Sequence, residues 1–122
     1  MNKLVRVVLL DEADNSFKRL NEIVGRQIKT GKENSDEMQL LKSIKQKIEW
    51  VKANPFYGDP IAKNLIPPEY KKYGATNLFR VELSGFWRML YMLKGDKIEV
   101  VAFVLDIINH PTYDKKFGYR KI

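Results

Sequence analysis

Residues 78–91 read Leu78-Phe79-Arg80-Val81-Glu82-Leu83-Ser84-Gly85-Phe86-Trp87-Arg88-Met89-Leu90-Tyr91, a stretch with the pattern of two strands joined by a turn. Apolar and charged side chains alternate up to Leu83, which is the period of a β-strand with one buried face. Ser84-Gly85 predicts a turn, and the apolar run from Phe86 to Leu93 predicts a returning strand. Arg80 and Glu82 share one face of the first strand. The stretch therefore predicts a β-hairpin with charged residues on one face.

The flanking sequence extends this hairpin into a sheet. Lys94-Gly95-Asp96-Lys97 predicts a second tight turn, with glycine at the first central position as in type II′ hairpin turns. Residues 98–108 form the longest and most apolar run, so we expect a strand deep in the sheet. An apolar, β-branched segment at residues 3–10 predicts an additional N-terminal strand.

Between the first strand and the hairpin, apolar residues follow helical spacing and predict helices at 12–29 and 35–53. Asp11 or Asp14 is placed to cap the first helix, and Asn34 with Glu37 forms a capping-box pattern for the second. Asn54-Pro55 ends it. We expect the helices to pack as an antiparallel pair on one face of the sheet. The predicted core comprises Phe17, Leu20, Val24, Met38, Leu41, Ile44, Ile48, Phe79, Val81, Val100, Ala102 and Val104.

The element order β-α-α-β-β-β predicts an α+β fold, an N-terminal strand and a two-helix hairpin packed on an antiparallel sheet, in a single domain over residues 1–122. Residues 55–77 are rich in proline and glycine and are expected to have little regular structure. Residues 114–122 read as a short basic tail.

Charge and composition limit the functional classes. The net charge is +7, and residues 60–122 carry eleven Lys/Arg against six Asp/Glu, which suits a polyanionic partner or simply keeps the protein soluble. No run approaches the ~18 apolar residues of a membrane span. One histidine and no cysteine cannot supply the usual zinc ligand sets. We expect a cytoplasmic protein with no membrane association, no metal and no cofactor.

Two positions could carry chemistry. His110, the one histidine, follows the most apolar strand and can transfer protons near neutral pH. Arg88 lies in an apolar run, where it either pairs with Glu82 or Asp106 or binds a phosphate. Aromatic and basic residues near His110 have the character that stacked RNA bases and phosphates require. The candidate RNA-binding residues are Lys63, Lys115, Lys116, Tyr119 and Arg120.

The layout and the hairpin resemble the RelE/ParE superfamily of bacterial and archaeal toxins, in which a basic strand leads through a turn to an aromatic-Arg-apolar-apolar-Tyr run. Asn109-His110-Pro111-Thr112-Tyr113-Asp114 is similar to the His-x-x-Tyr-Asp segment of the HigB branch. The resemblance implies an mRNA interferase that cleaves messenger RNA in the ribosomal A site and is held inactive by an antitoxin, here expected to be acidic.

Carried over by position, the resemblance makes Arg88 the phosphate-binding arginine and Arg80 a basic residue on the preceding strand. His110 falls where members carry a catalytic Arg or His, and Tyr113 falls near their C-terminal tyrosine. Glu82 stands where the best-known branch has a second lysine, so it could act as a base or pair with an arginine and weaken the site.

Two other functions fit the same fold. A ParE-like protein acts by binding DNA gyrase and needs no catalytic cluster, and an inactive homologue would remain an antitoxin-binding module. His110 together with Arg88 favours RNA cleavage, whereas Glu82 favours the inactive form.

Overall fold

A computed structural model describes residues 3–118. Its helices and strands follow in the order β1 (Leu4–Leu9), α1 (Asp11–Lys29), α2 (Asp36–Ala53), β2 (Asp59–Pro60), α3 (Pro68–Lys71), β3 (Phe79–Glu82), β4 (Trp87–Gly95), β5 (Glu99–Asn109) and α4 (His110–Phe117).

One five-stranded sheet in the order β1-β5-β4-β3-β2 organises the chain. Strands β3, β4 and β5 form the expected antiparallel meander, and β5, the longest strand, is paired on both sides. The N-terminal strand β1 joins the sheet parallel to β5, with Val7 opposite Ala102. The expected α+β fold is confirmed, and the parallel pair makes its sheet mixed rather than wholly antiparallel.

Helices α1 and α2 pack on one face of the sheet, as their apolar spacing predicts. Leu20, Val24, Leu41 and Ile44 are buried in a cluster with residues of β3, β4 and β5. Other predicted core residues in this cluster are buried (Phe79, Val81, Ala102, Val104) or partly buried (Phe17, Met38, Ile48). Val100 is only half-buried.

The opposite face of the sheet is also covered, by two segments whose sequences predict little regular structure. Residues 55–77 contain β2, a turn of 3-10 helix at Lys63–Leu65, and α3. The supposed basic tail begins within α4, whose first turn is capped because Asn109 accepts a hydrogen bond from Thr112 N. These segments fold because their apolar side chains bury against the sheet. The second core comprises Ile66, Tyr70, Ala75, Leu78, Leu90, Met92, Leu105, Ile108 and Tyr113.

The starts of α1 and α2 differ from the predicted capping patterns. Leu10 occupies the N-cap position of α1 and makes no side-chain cap, so neither Asp11 nor Asp14 caps that helix. Ser35, not Asn34, caps α2 by accepting a hydrogen bond from Met38 N.

The prediction of a type II′ turn after β4 is also wrong, because Gly95 does not adopt a positive φ. A Cβ at Gly95 would lie 2.9 Å from the Glu99 carbonyl oxygen, so close backbone approach requires the glycine. The side chain of Asp96 closes the turn by accepting hydrogen bonds from the backbone N–H groups of Ile98 and Glu99.

Ile44 provides a test of the helix–sheet core. It is fully buried, so we expect Ile44→Ala to lower the free energy of unfolding by roughly 2–5 kcal/mol through lost burial and a residual cavity. Ile28→Ala is the matched control, since the same atoms are removed from a side chain that is 62% exposed. Urea denaturation measures both, and equal losses would contradict this description of the core.

Candidate active site

Strand register places three charged residues on one side of the β3–β4 hairpin. Glu82 lies directly opposite Arg88, and Arg80 lies opposite Leu90. Arg80 and Glu82 are two residues apart on one strand and therefore share a face, which is the face that α4 covers. The sequence thus brings the two arginines and one carboxylate together through local pairing alone.

Arg80 is held by contacts from three elements, α4, β2 and its own strand β3. Its Nη1 donates a hydrogen bond to the Tyr113 hydroxyl of α4 at 3.2 Å. Its guanidinium also lies 3.6 Å from the Asp59 carboxylate of β2 and 3.5 Å from that of Glu82. Burial by itself lowers the pKa of Arg80, but the bond to Tyr113 and the two carboxylates raise the pKa above its usual value. Arg80 is therefore a fixed cation.

Arg88 is the more buried of the two arginines, with a side chain that is 12% exposed. Its Nε lies 3.4 Å from Oε1 of Glu82, and its Nη1 donates a hydrogen bond to the Phe86 carbonyl. The guanidinium carbon stands 4.7 Å from the centre of the Tyr113 ring, and that of Arg80 stands 5.8 Å from it. Such contacts fall in the range of cation–π interactions, so the tyrosine ring supports both cations.

His110 begins helix α4. It is the first residue of α4 rather than the end of a strand, and its Nε2 lies 3.2 Å from the Asp114 carboxylate. Its side chain is 48% exposed. His110 and Tyr113 are three residues apart on the helix, a spacing that sets their side chains side by side. The structure thus joins Arg80, Glu82, Arg88 and Tyr113 directly and pairs His110 with Asp114.

Lys116, one of the candidate RNA-binding residues, forms ion pairs within the protein. Its Nζ lies 2.6 Å from Glu69 and 3.1 Å from Asp106, a carboxylate that is almost completely buried. Burial lowers the pKa of Lys116, but hydrogen bonds to the two carboxylates raise it overall. The Lys116 ammonium is therefore engaged by two carboxylates of the protein itself. Lys63 and Lys115 are exposed, whereas Tyr119 and Arg120 lie outside the described residues.

Asp106 is the centre of a polar network that local sequence spacing does not predict. The hydroxyl of Tyr70 donates to its Oδ2 at 2.8 Å, and burial together with this carboxylate raises the pKa of Tyr70. The signal in the sequence is a single carboxylate, Asp106, inside the apolar run 98–108, since a buried charge requires partners. Local spacing does not predict its partners on α3 and α4. It also does not predict that Asp59 of β2 approaches Arg80. Within residues 3–118, no group of three or more His, Asp or Glu residues is arranged to hold a metal ion.

A five-stranded mixed sheet with a helix pair on one face is a RelE/ParE-like toxin fold. A solved structure similar to it is the YoeB/ParE toxin from Agrobacterium tumefaciens, with a TM-score of 0.56 and 12% sequence identity over 86% of this chain and 98% of that chain. No protein-family model matches the sequence, and no curated protein matches it. None of the helices within residues 3–118 is long and apolar enough to cross a membrane.

The Asp106 network can be tested at Lys116. Lys116→Met leaves a buried carboxylate without its cation, and we expect a loss of roughly 3–5 kcal/mol in the free energy of unfolding. Lys115→Met makes the same change one residue earlier, at an exposed position, and should cost less than about 0.5 kcal/mol. Thermal and urea unfolding measure both. Similar values for the two variants would show that the ion pair does not hold α4 in place.

Proposed function

We propose that this protein is the toxin of a type II toxin–antitoxin system and acts as a metal-independent endoribonuclease that cleaves messenger RNA, in association with the ribosome. The observation that supports this proposal is the convergence of two guanidinium groups on one Glu82 oxygen. Arginines placed in this way on a RelE/ParE-type fold suit a phosphate group, since each guanidinium presents a planar set of donors and keeps its charge.

RNA supplies its own nucleophile, so the protein needs few groups. The 2′-oxygen attacks the phosphorus atom, a base takes its proton, and the bond to the 5′-oxygen breaks as that oxygen receives a proton. The 5′ fragment then ends in a 2′,3′-cyclic phosphate. In this proposal Arg88 and Arg80 stabilise the charge of the pentavalent phosphorane. His110 serves as base or acid, which is worth roughly 10²–10⁴-fold.

Tyr113 has a supporting role in this scheme. Its hydroxyl accepts from Arg80 and its ring lies beside Arg88, so it sets the direction of both guanidinium groups. Exposed Lys63 and Lys115 are proposed contacts for the RNA backbone, with Tyr119 and Arg120 beyond the described residues.

Glu82 supports a second candidate function. It lies within 3.5 Å of both arginines and so offsets part of the charge that a phosphate requires. His110 meanwhile is paired with Asp114. A protein of this fold that binds DNA gyrase, or one that only binds its antitoxin, needs no open phosphate site.

Substitution of the proposed catalytic groups distinguishes these functions. We expect Arg88→Gln and His110→Ala each to abolish growth arrest, with losses in mRNA cleavage of at least ~10²-fold. Cleavage should persist in EDTA because no metal takes part. Lys97→Ala is the control, as an exposed cation on the turn between β4 and β5.

Primer extension on mRNA from arrested cells, with thermal unfolding of each variant, provides the measurement. Growth arrest with intact mRNA and altered DNA supercoiling would replace the ribonuclease by the gyrase function. Full activity of the His110 variant would remove that residue from the mechanism.

The proposed antitoxin should be acidic, because the chain carries a net charge of +7. We expect co-expression with the product of a neighbouring short reading frame to give a tight complex. Its association rate, measured by stopped flow, should fall as salt is raised, since exposed charges steer the encounter and are screened beyond about 10 Å at 0.1 M salt. A salt-independent rate would contradict the electrostatic argument.

A further inference from the structure

The carboxylate of Glu82 occupies the position between the two guanidinium groups. Its Oε1 lies 3.5 Å from Nε of Arg80 and 3.4 Å from Nε of Arg88. Glu82 comes from the end of β3 and faces Arg88 across the strand pair. A single oxygen therefore stands where an oxygen of a bound anion would contact both arginines.

The contact of Glu82 with the two arginines does not satisfy their Nε donors. The Nε atoms of Arg80 and Arg88 are buried, and neither has a hydrogen-bond partner within residues 3–118. A buried donor without an acceptor is costly, and the distances to Glu82 are long for charge-assisted hydrogen bonds. A phosphate group offers several oxygens in a tetrahedral arrangement, so it can approach both donors more closely than one carboxylate oxygen does.

The Glu82 side chain can also rotate away from the arginines. Its side chain is 53% exposed, so rotation into solvent restores its hydration without opening the core. The other contacts of the arginines do not involve Glu82: Arg88 keeps its bond to the Phe86 carbonyl, and Arg80 keeps its bond to Tyr113. The cations would therefore stay in place when the carboxylate departs.

We propose that Glu82 is an internal anion that occupies the phosphate position of the Arg80–Arg88 site, and that a phosphodiester of single-stranded RNA binds there by displacing it. The identity of the ligand as RNA rests on the proposed function. In this arrangement Glu82 lowers the affinity for the anion without taking part in proton transfer. An anion therefore binds this site only if its contacts with the arginines outweigh those of the tethered carboxylate.

The test is a binding measurement with a short single-stranded RNA that is 2′-O-methylated throughout, so that attack by a 2′-hydroxyl cannot occur. We expect Glu82→Gln and Glu82→Ala to tighten binding by about fivefold, the upper range for loss of an exposed charge pair. Asp59→Asn is the matched control. It removes the same charge from a carboxylate that is 71% exposed and lies 3.6 Å from Arg80, and should tighten binding less than about twofold.

The outcomes separate this proposal from the proposed function. If the Glu82 and Asp59 variants tighten binding equally, the effect is one of net charge and the proposal is overturned. If the Glu82 variants bind the probe as before but lose cleavage of unmodified RNA, Glu82 is a base and the proposal is overturned while the ribonuclease function stands. If Arg88→Gln leaves binding of the probe unchanged, the phosphate site of the proposed function is itself wrong.

Discussion

The candidate site depends on one buried carboxylate that does not belong to it. Asp106 lies within β5 and is held by the Tyr70 hydroxyl and the Lys116 ammonium. These two partners come from α3 and α4, so the buried charge fixes both short helices on the second face of the sheet. Helix α4 in turn carries Tyr113, whose ring and hydroxyl contact the two arginines. Short helices rarely persist without such tertiary contacts, and here an ion pair supplies one of them.

Asp106 reaches that face because β5 contains a bulge. Leu90 pairs with Asp106 whereas Tyr91 pairs with Val104, which leaves Leu105 as an extra residue. In a regular strand, Asp106 would share the face of Val104 and point into the apolar core beneath α1 and α2. The extra residue turns Asp106 to the other face, toward Tyr70 and Lys116. One inserted residue thus avoids an unpaired charge in the main core and creates the attachment point for α4.

Periodicity predicted the main elements and the convergence of charged residues on the hairpin, because both arise from neighbouring residues in one strand pair. Periodicity does not predict contacts between residues that lie far apart in the sequence. The parallel pairing of β1 with β5 and the link from Asp59 to Arg80 are of that kind. Helix α4 was missed for a related reason. Its apolar residues Tyr113 and Phe117 form a single stripe among charged neighbours, which is a weak signal in eight residues. The stacking of their two rings is visible only in the folded protein.

Glu82 reduces the cost in folding stability of placing Arg80 and Arg88 close together. Two guanidinium groups on adjacent strands repel each other, and Arg88 is too buried for water to screen it fully. A carboxylate between them offsets this repulsion in the free protein, which lets the hairpin fold with both arginines directed at one point. The same charge then opposes any anion that enters. A lysine at this position would strengthen anion binding but add a third cation to the hairpin, so the glutamate shifts the balance toward a stable, partly neutralised site.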